Sequence, residues 1–191
     1  MKKILLSVLC ILTVCLTNAQ SRFGIINYTL PQGWYARESG VNMELVKKGS
    51  ENSCKITLFQ ELNSVVKGEK QFAELWALKT KSGNAKISKS TPPVKTEEED
   101  WITYAASKGI NSKPPYTEAF YTLSEGSKTA IILAEAQGDL CIDEINSILA
   151  SINIPEKQTK TKAKSKATPR FNGLPPLKKT SVAHDTGHPI N

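Results

Sequence analysis

Two β-rich runs separated by a short polar turn constrain the fold of this chain more than any other feature. Tyr116–Leu123 and Thr129–Ala136 are rich in aromatic, β-branched and other apolar residues, and Ser124-Glu125-Gly126-Ser127 lies between them. Runs of strand length that are joined by a short glycine-containing segment predict an antiparallel hairpin. A sheet built from such hairpins buries its apolar face against another layer, and packed helices are one source of that layer.

Two segments have the period of a helix. Apolar residues recur at helical spacing through Lys67–Thr80, and from Cys141 to Ile152 they form one stripe. Residues 91–100, with two prolines and an acidic run, are expected to form a loop or a hairpin tip. The order of strands, helix, strands and helix predicts an α+β fold, an antiparallel β-sheet with two main helices packed on it. Further strands are predicted at residues 25–30, 34–36, 43–47, 54–62, 86–90 and 101–107.

Residues 1–19 have the pattern of a cleavable secretory signal. Lys2 and Lys3 precede an apolar run, Ile4–Leu16, and small residues lead to a cleavage site after Ala19. The run is shorter than the roughly 20 residues that a membrane-spanning helix needs, so no transmembrane span is expected. We therefore expect a periplasmic or secreted protein whose folded domain begins near Gln20.

Cysteine positions fit an oxidising compartment. Cleavage would remove Cys10 and Cys15, while lipidation at either is disfavoured because Leu9 and Val14 stand where a lipobox has a small residue. In the predicted strand at residues 54–62, alternation places Cys54 on the apolar face, and Cys141 shares the apolar stripe of the second helix. The pair predicts a disulfide. Two buried, unpaired cysteines are the alternative, since shared orientation does not fix their separation.

Charge divides the mature chain into a near-neutral domain and a basic tail. Residues 20–154 contain 15 basic and 16 acidic side chains, so a nucleic-acid partner is not expected. Residues 155–191 contain 8 basic and 2 acidic side chains and no apolar periodicity, which predicts a disordered basic tail. Its lysines could contact anionic envelope surfaces, or the tail could be a soluble spacer. Within it, Phe171, Leu174 and Leu177 are apolar residues that could dock on the domain.

Residues 25–154 resemble the Mog1/PsbP-like fold, and in particular small secreted domains of unknown function from Bacteroidetes. The resemblance begins with the run Tyr28–Trp34, an apolar residue followed by Pro, any residue, Gly and Trp. Later landmarks are Phe72 and Trp76 on one helix, Trp101 at the start of a strand, and the closing helix. The resemblance implies an antiparallel sheet flanked by helices, in proteins that are mostly binding or accessory modules.

No arrangement of residues in the sequence indicates catalysis, a metal site or a cofactor. Both histidines, His184 and His188, lie in the predicted tail beside a lone Asp185-Thr186-Gly187 triplet, which lacks the second copy that an aspartic-protease dyad needs. The acidic run Glu97–Asp100 is consecutive, so its side chains cannot converge on one ion as in a spaced calcium loop.

A non-enzymatic binding or accessory module that engages a protein or an envelope component is therefore the first functional hypothesis. Its candidate binding residues are Trp34, Tyr35, Trp101 and Tyr104, although aromatic side chains more often belong to the core and its rim than to a ligand site. One alternative is a secreted hydrolase that uses carboxylates such as Glu118 or Glu135. Another is a structural envelope protein that is held by its basic tail.

Overall fold

The computed structural model describes residues 20–80, 87–98, 101–154 and 174–177. These residues contain ten strands and two helices. The helices are α1 (Glu69–Lys79) and α2 (Ile142–Ser151). The strands are β1 (Gln20–Phe23), β2 (Ile26–Thr29), β3 (Trp34–Ser39), β4 (Asn42–Lys47), β5 (Cys54–Leu62), β6 (Ile87–Ser90), β7 (Val94–Glu98), β8 (Trp101–Ile110), β9 (Tyr116–Glu125) and β10 (Lys128–Gln137).

Eight of these strands form one antiparallel sheet in the order β3-β4-β5-β10-β9-β8-β6, and β7 also pairs with β8. The predicted hairpin is confirmed as β9 and β10, whose register runs from Lys128 opposite Glu125 to Gln137 opposite Tyr116. Strands β1 and β2 form a separate antiparallel hairpin. A bridge between Asn27 of β2 and Asn153, just after α2, ties that hairpin to the end of the helix.

Each face of the sheet carries its own apolar core, as the alternation along β10 shows. Ala130, Ile132 and Ala134 belong to the core under α2, whereas Ile131 and Leu133 belong to the core under α1. Successive side chains of a strand point to opposite faces, so a central strand covered on both sides has a continuous apolar sequence. The sheet is therefore the middle layer between two helices.

Both predicted helices are confirmed, and with them the predicted α+β class. In α1, Phe72 is fully buried, and its ring lies 5.4 Å from that of Phe120 and 5.7 Å from that of Tyr104. Helix α2 has a continuous buried stripe of Ile142, Ile145, Ile148 and Leu149. Neither helix in the described part of the chain has the length and apolar character that crossing a bilayer requires.

The predicted disulfide is confirmed. Cys54 opens β5 and Cys141 directly precedes α2, and their Cα atoms lie 6.0 Å apart in the bonded pair. Both cysteines are buried in the core under α2. The bond therefore fastens the start of α2 to a central strand across 87 residues of sequence.

Residues 91–98 are more regular than the sequence analysis predicted, because Val94–Glu98 pair with β8 and form an edge strand. Most of the predicted tail, and the whole predicted leader, lie outside the described residues. Residues 174–177 are the part of the tail that is described, and Leu174 and Leu177 are buried against the core under α2. The folded unit thus includes four residues that follow the predicted domain end at Ile154.

Candidate functional site

The four aromatic residues predicted to bind a ligand do not lie together. Trp34 and Tyr35 are in β3, at one edge of the sheet, whereas Trp101 and Tyr104 are in β8. Four strands separate β3 from β8, a distance of roughly 24 Å at the usual strand spacing. Trp34, Trp101 and Tyr104 are buried, and Tyr35 is 39% exposed. The structure places these residues as two separate pairs, and their role in binding stays a prediction.

A row of four charged side chains crosses the α1 face of the sheet. Lys55, Glu135, Glu118 and Lys108 are successive register partners on β5, β10, β9 and β8. The Nζ of Lys55 lies 3.0 Å from a carboxylate oxygen of Glu135, and the Nζ of Lys108 lies 3.2 Å from one of Glu118. Glu118 is 1% exposed and Lys108 is 7% exposed. We refer to these four residues as the charged row.

Lys108 also forms the floor of a groove between α1 and β6. The groove has a volume of about 410 Å³ and is lined by Ala73, Trp76, Ala77, Thr80, Ile87, Ser90 and Lys108. We call it the α1 groove. The Nζ of Lys108 donates to Oγ1 of Thr80 at 3.0 Å and lies 5.2 Å from the centre of the Trp76 ring. Trp76 in turn stacks on Phe120, with an interplanar angle of 6°.

Sequence reasoning treated Trp76 as a landmark of the helix and did not select Lys108. A usable signal was present, since alternation from Tyr104 places Ala106 and Lys108 on one face of β8. A lysine that continues a buried apolar face needs a partner, because an unpaired buried charge is strongly unfavourable. Glu118 follows the same rule, because it lies on one face of β9 with Phe120.

Comparison with known proteins identifies the fold and not a family. No protein-family model and no curated protein matches the chain. The solution structure of cyanobacterial PsbP (CyanoP) from Synechocystis matches 75% of this chain and 96% of its own, with a TM-score of 0.51 and 9% identity. The domain has a Mog1/PsbP-like fold. A crystal structure from Bacteroides thetaiotaomicron matches 72% of this chain, with a TM-score of 0.46 and 11% identity, and the chain spans about half (47%) of its length.

The PsbP-like domain balances its buried charges within the sheet. Glu118 and Glu135 are direct register partners, and adjacent carboxylates repel each other unless cations or a proton intervene. Each has its own lysine, and neither carboxylate lines the α1 groove. Within the described residues, no three His, Cys, Asp or Glu side chains are placed to hold a metal ion. The α1 groove therefore presents mainly apolar side chains, with the hydroxyl groups of Thr80 and Ser90 and one paired lysine.

Tyr116 extends the charged row, because its hydroxyl donates a hydrogen bond to Glu135. Burial, followed by the nearby carboxylate charge of Glu135, raises the pKa of Tyr116 well above its ordinary value. Burial alone raises the pKa of Tyr121. Both hydroxyls are therefore held in the neutral form in the folded domain.

Alkaline pH is expected to destabilise the domain through these two tyrosines. In the unfolded chain they ionise near pH 10, while in the folded domain they keep their protons, so stability is full below about pH 10 and falls as the pH rises above it. Tyrosinate absorbance and far-ultraviolet circular dichroism, followed together, should show at least two tyrosines ionising only as the domain unfolds, since burial also raises the pKa of Tyr28. Tyr116→Phe should remove one of these delayed ionisations, whereas ionisation of Tyr116 and Tyr121 in the folded domain would contradict the argument.

Proposed function

We propose that this chain is a non-enzymatic extracytoplasmic module that binds a protein or a cell-envelope component through the α1 groove. The groove itself carries the proposal. Its volume of about 410 Å³ lies in the range of small-ligand sites, which are mainly apolar with a few placed polar groups. Ala73, Ala77 and Trp76 supply apolar surface, while Thr80 and Ser90 supply hydroxyl groups. Lys108 adds a cation at its floor.

Exposed apolar surface beside the groove supports contact with a macromolecule. Ile87, on the β6 wall, is 51% exposed. In the described part of the sheet, β6 is a terminal strand, so the backbone groups on its outer side can pair with an extended segment of a partner. A peptide that adds to β6 would place side chains in the groove.

The charged row favours binding over hydrolysis. A carboxylate acting as general acid or base must reach the substrate within hydrogen-bonding distance. Glu118 and Glu135 are buried and ion-paired, and Lys108 is the member of the row that lines the groove. We therefore expect the purified mature chain to be inactive on esters, peptides and glycosides.

An extracytoplasmic location is part of the proposal. The Cys54–Cys141 disulfide supports it, because stable disulfides form mainly in oxidising compartments. The predicted leader at residues 1–19 points to the same compartment. On this proposal, the lysines of the tail add electrostatic attraction to anionic envelope surfaces, at about 1 kcal/mol for each lysine near the surface.

Photocrosslinking in intact envelopes tests the proposal. A photoreactive amino acid in place of Ile87 should yield a defined crosslinked product, because this position lies on the groove wall. The same amino acid in place of Val41, which is 66% exposed in the turn between β3 and β4, provides the matched control at the far edge of the sheet. The product should be absent at Val41.

Filling the groove distinguishes a specific ligand from a chance neighbour. Ala77 is exposed on α1 and lines the groove, so Ala77→Arg should keep the fold and remove the product formed at position 87. Equal products at positions 41 and 87, or a product at position 87 that survives Ala77→Arg, would refute the assignment of the groove.

A further inference from the structure

The strongest unexplained feature of the domain is a short segment docked on the α2 face of the sheet. Residues Leu174-Pro175-Pro176-Leu177 lie against α2 and β9, on the opposite face from the α1 groove. Leu174 is 5% exposed and Leu177 is 2% exposed, whereas the two prolines are exposed. We call the surface that receives the segment, formed by Tyr121, Asn146 and Leu149, the α2 cleft.

Backbone hydrogen bonds hold the segment in the cleft. Asn146 uses both ends of its amide on Leu177, because Nδ2 donates to the Leu177 carbonyl at 3.1 Å and Oδ1 accepts from the Leu177 N–H at 2.6 Å. The N–H of Leu174 donates to the Leu149 carbonyl at 3.1 Å. The hydroxyl of Tyr121 donates to the Pro175 carbonyl at 2.9 Å. Proline has no N–H, so both N–H groups of this tetrapeptide are satisfied.

The spacing of the leucines matches an extended, polyproline-type conformation. A residue before proline is restricted to β or polyproline II geometry, which applies to Leu174 and to Pro175. Polyproline II has three residues per turn, so residues i and i+3 point to the same side. Leu174 and Leu177 have this spacing, and both are buried. The cleft thus contacts the backbone of the segment through the side chains of Tyr121 and Asn146 and the carbonyl of Leu149, and it buries two leucines three residues apart.

The segment is linked covalently to the domain, as a tethered ligand is. Nineteen residues, 155–173, separate it from Ile154, and they include five lysines and one arginine. A tether of this length would give an effective concentration of about 1 mM, at which even a weakly binding segment stays bound in cis. An apolar cavity of about 120 Å³ remains beside Pro175 and Pro176, lined also by Val94, Ala105 and Tyr121. The segment therefore leaves apolar surface that a ligand with a bulkier side chain would fill.

We propose that the α2 cleft is a peptide-recognition site, and that residues 174–177 are its tethered ligand, which a peptide of the same Leu-Pro-Pro-Leu chemistry displaces. The occupant is an extended, proline-containing segment with leucines at the first and fourth positions, supplied by a partner protein. This site lies on the other face of the sheet from the α1 groove and does not depend on the function proposed for it. Because residues 174–177 occupy the α2 cleft, a partner peptide must bind the cleft tightly enough to displace them.

Peptide binding to the full mature chain tests the proposal. The probe is a fluorescein-labelled peptide of residues 172–179, and its anisotropy is measured with wild type and with the Leu174→Asp/Leu177→Asp variant, whose own segment cannot dock. The variant should bind the probe about tenfold or more tightly than wild type, because tethered competition at about 1 mM is removed. Adding Asn146→Ala to the variant should weaken binding several-fold, and Tyr121→Phe should weaken it less.

Controls separate recognition from ordinary packing. A probe with both leucines replaced by aspartate should not bind, and circular dichroism should show that each variant is folded. A wild-type dimer that the Leu174→Asp/Leu177→Asp variant does not form would show that a second copy, and not a partner protein, supplies the segment, and would overturn the proposed occupant. A folded variant that fails to bind the probe, or binding unaffected by both Asn146→Ala and Tyr121→Phe, would overturn the proposal.

Discussion

Replacing Cys54 and Cys141 together with alanine is expected to lower the free energy of unfolding by about 4 to 5 kcal/mol. The bond closes a loop with a sequence separation of 87 residues, and its main effect is to restrict the unfolded chain. The folded domain should survive, because α2 keeps its buried stripe from Ile142 to Leu149 against the sheet. Urea unfolding, followed by circular dichroism, measures the change.

Reduction of the wild-type protein provides the matched control for this prediction. Reductant should lower the urea midpoint of wild type to about that of the Cys54→Ala/Cys141→Ala variant, and it should leave the midpoint of the variant unchanged. The intact mass of wild type should rise by two hydrogens on reduction. Coincident unfolding curves for the wild type and the variant would refute the stabilising role of the bond. A shift caused by reductant in the variant would indicate an effect that does not involve these cysteines.

Local pattern predicted the elements whose period is strong and whose partners are close in sequence. The β9–β10 hairpin followed from two apolar runs and a four-residue polar link, and α1 and α2 followed from their apolar stripes. The disulfide was accessible for a related reason, since alternation in a strand and periodicity in a helix each orient a thiol toward the core. The distance between the Cα atoms of Cys54 and Cys141 could not be predicted from local pattern, because the packing of α2 on the sheet determines it.

Edge elements were harder to predict, because their sequences carry little apolar pattern. Strand β7, Val94–Glu98, follows two prolines and ends in acidic residues, which are features of a loop and also of a protected edge strand. Strand β1, Gln20–Phe23, pairs only with β2 among the described strands and was not predicted. In both cases pairing with a neighbouring strand, and not intrinsic propensity, decides the conformation.

The candidate sites depend on register and on contacts between distant segments. Lys55, Glu135, Glu118 and Lys108 are far apart in sequence, and three separate strand registers bring them into one row. The α2 cleft likewise joins Tyr121, Asn146 and a segment after residue 173. Sequence reasoning identified Leu174 and Leu177 as residues able to dock, but a local pattern does not specify where they do so.

The second large effect on stability is expected at the Lys108–Glu118 end of the charged row. Lys108→Met should lower the free energy of unfolding by about 3 to 5 kcal/mol, because it leaves the Glu118 carboxylate buried without the lysine that lies 3.2 Å from it. Lys108→Met combined with Glu118→Leu should recover most of that loss, since replacing both members of a buried pair by apolar residues is often neutral. Urea unfolding of the two single variants and the double variant completes the cycle.

An ion pair with one exposed member, on the same sheet face, is the control for this double-mutant cycle. Arg37 and Glu44 lie 2.7 Å apart, but the arginine side chain is 45% exposed, so Arg37→Met should change stability far less than Lys108→Met. Equal losses from the two substitutions would show that burial of the Lys108–Glu118 pair does not set its contribution. A double variant no more stable than Lys108→Met would show that the loss arises from packing and not from an uncompensated charge.

The same double variant separates the structural role of Lys108 from a role in binding. Lys108 lies at the floor of the α1 groove as well as in the charged row, so a single substitution would alter fold stability and ligand contact together. With Lys108→Met and Glu118→Leu combined, the domain should stay folded while the groove loses its cation. If the ligand is anionic, the crosslink from position 87 should then be lost, whereas a purely apolar ligand should still react there.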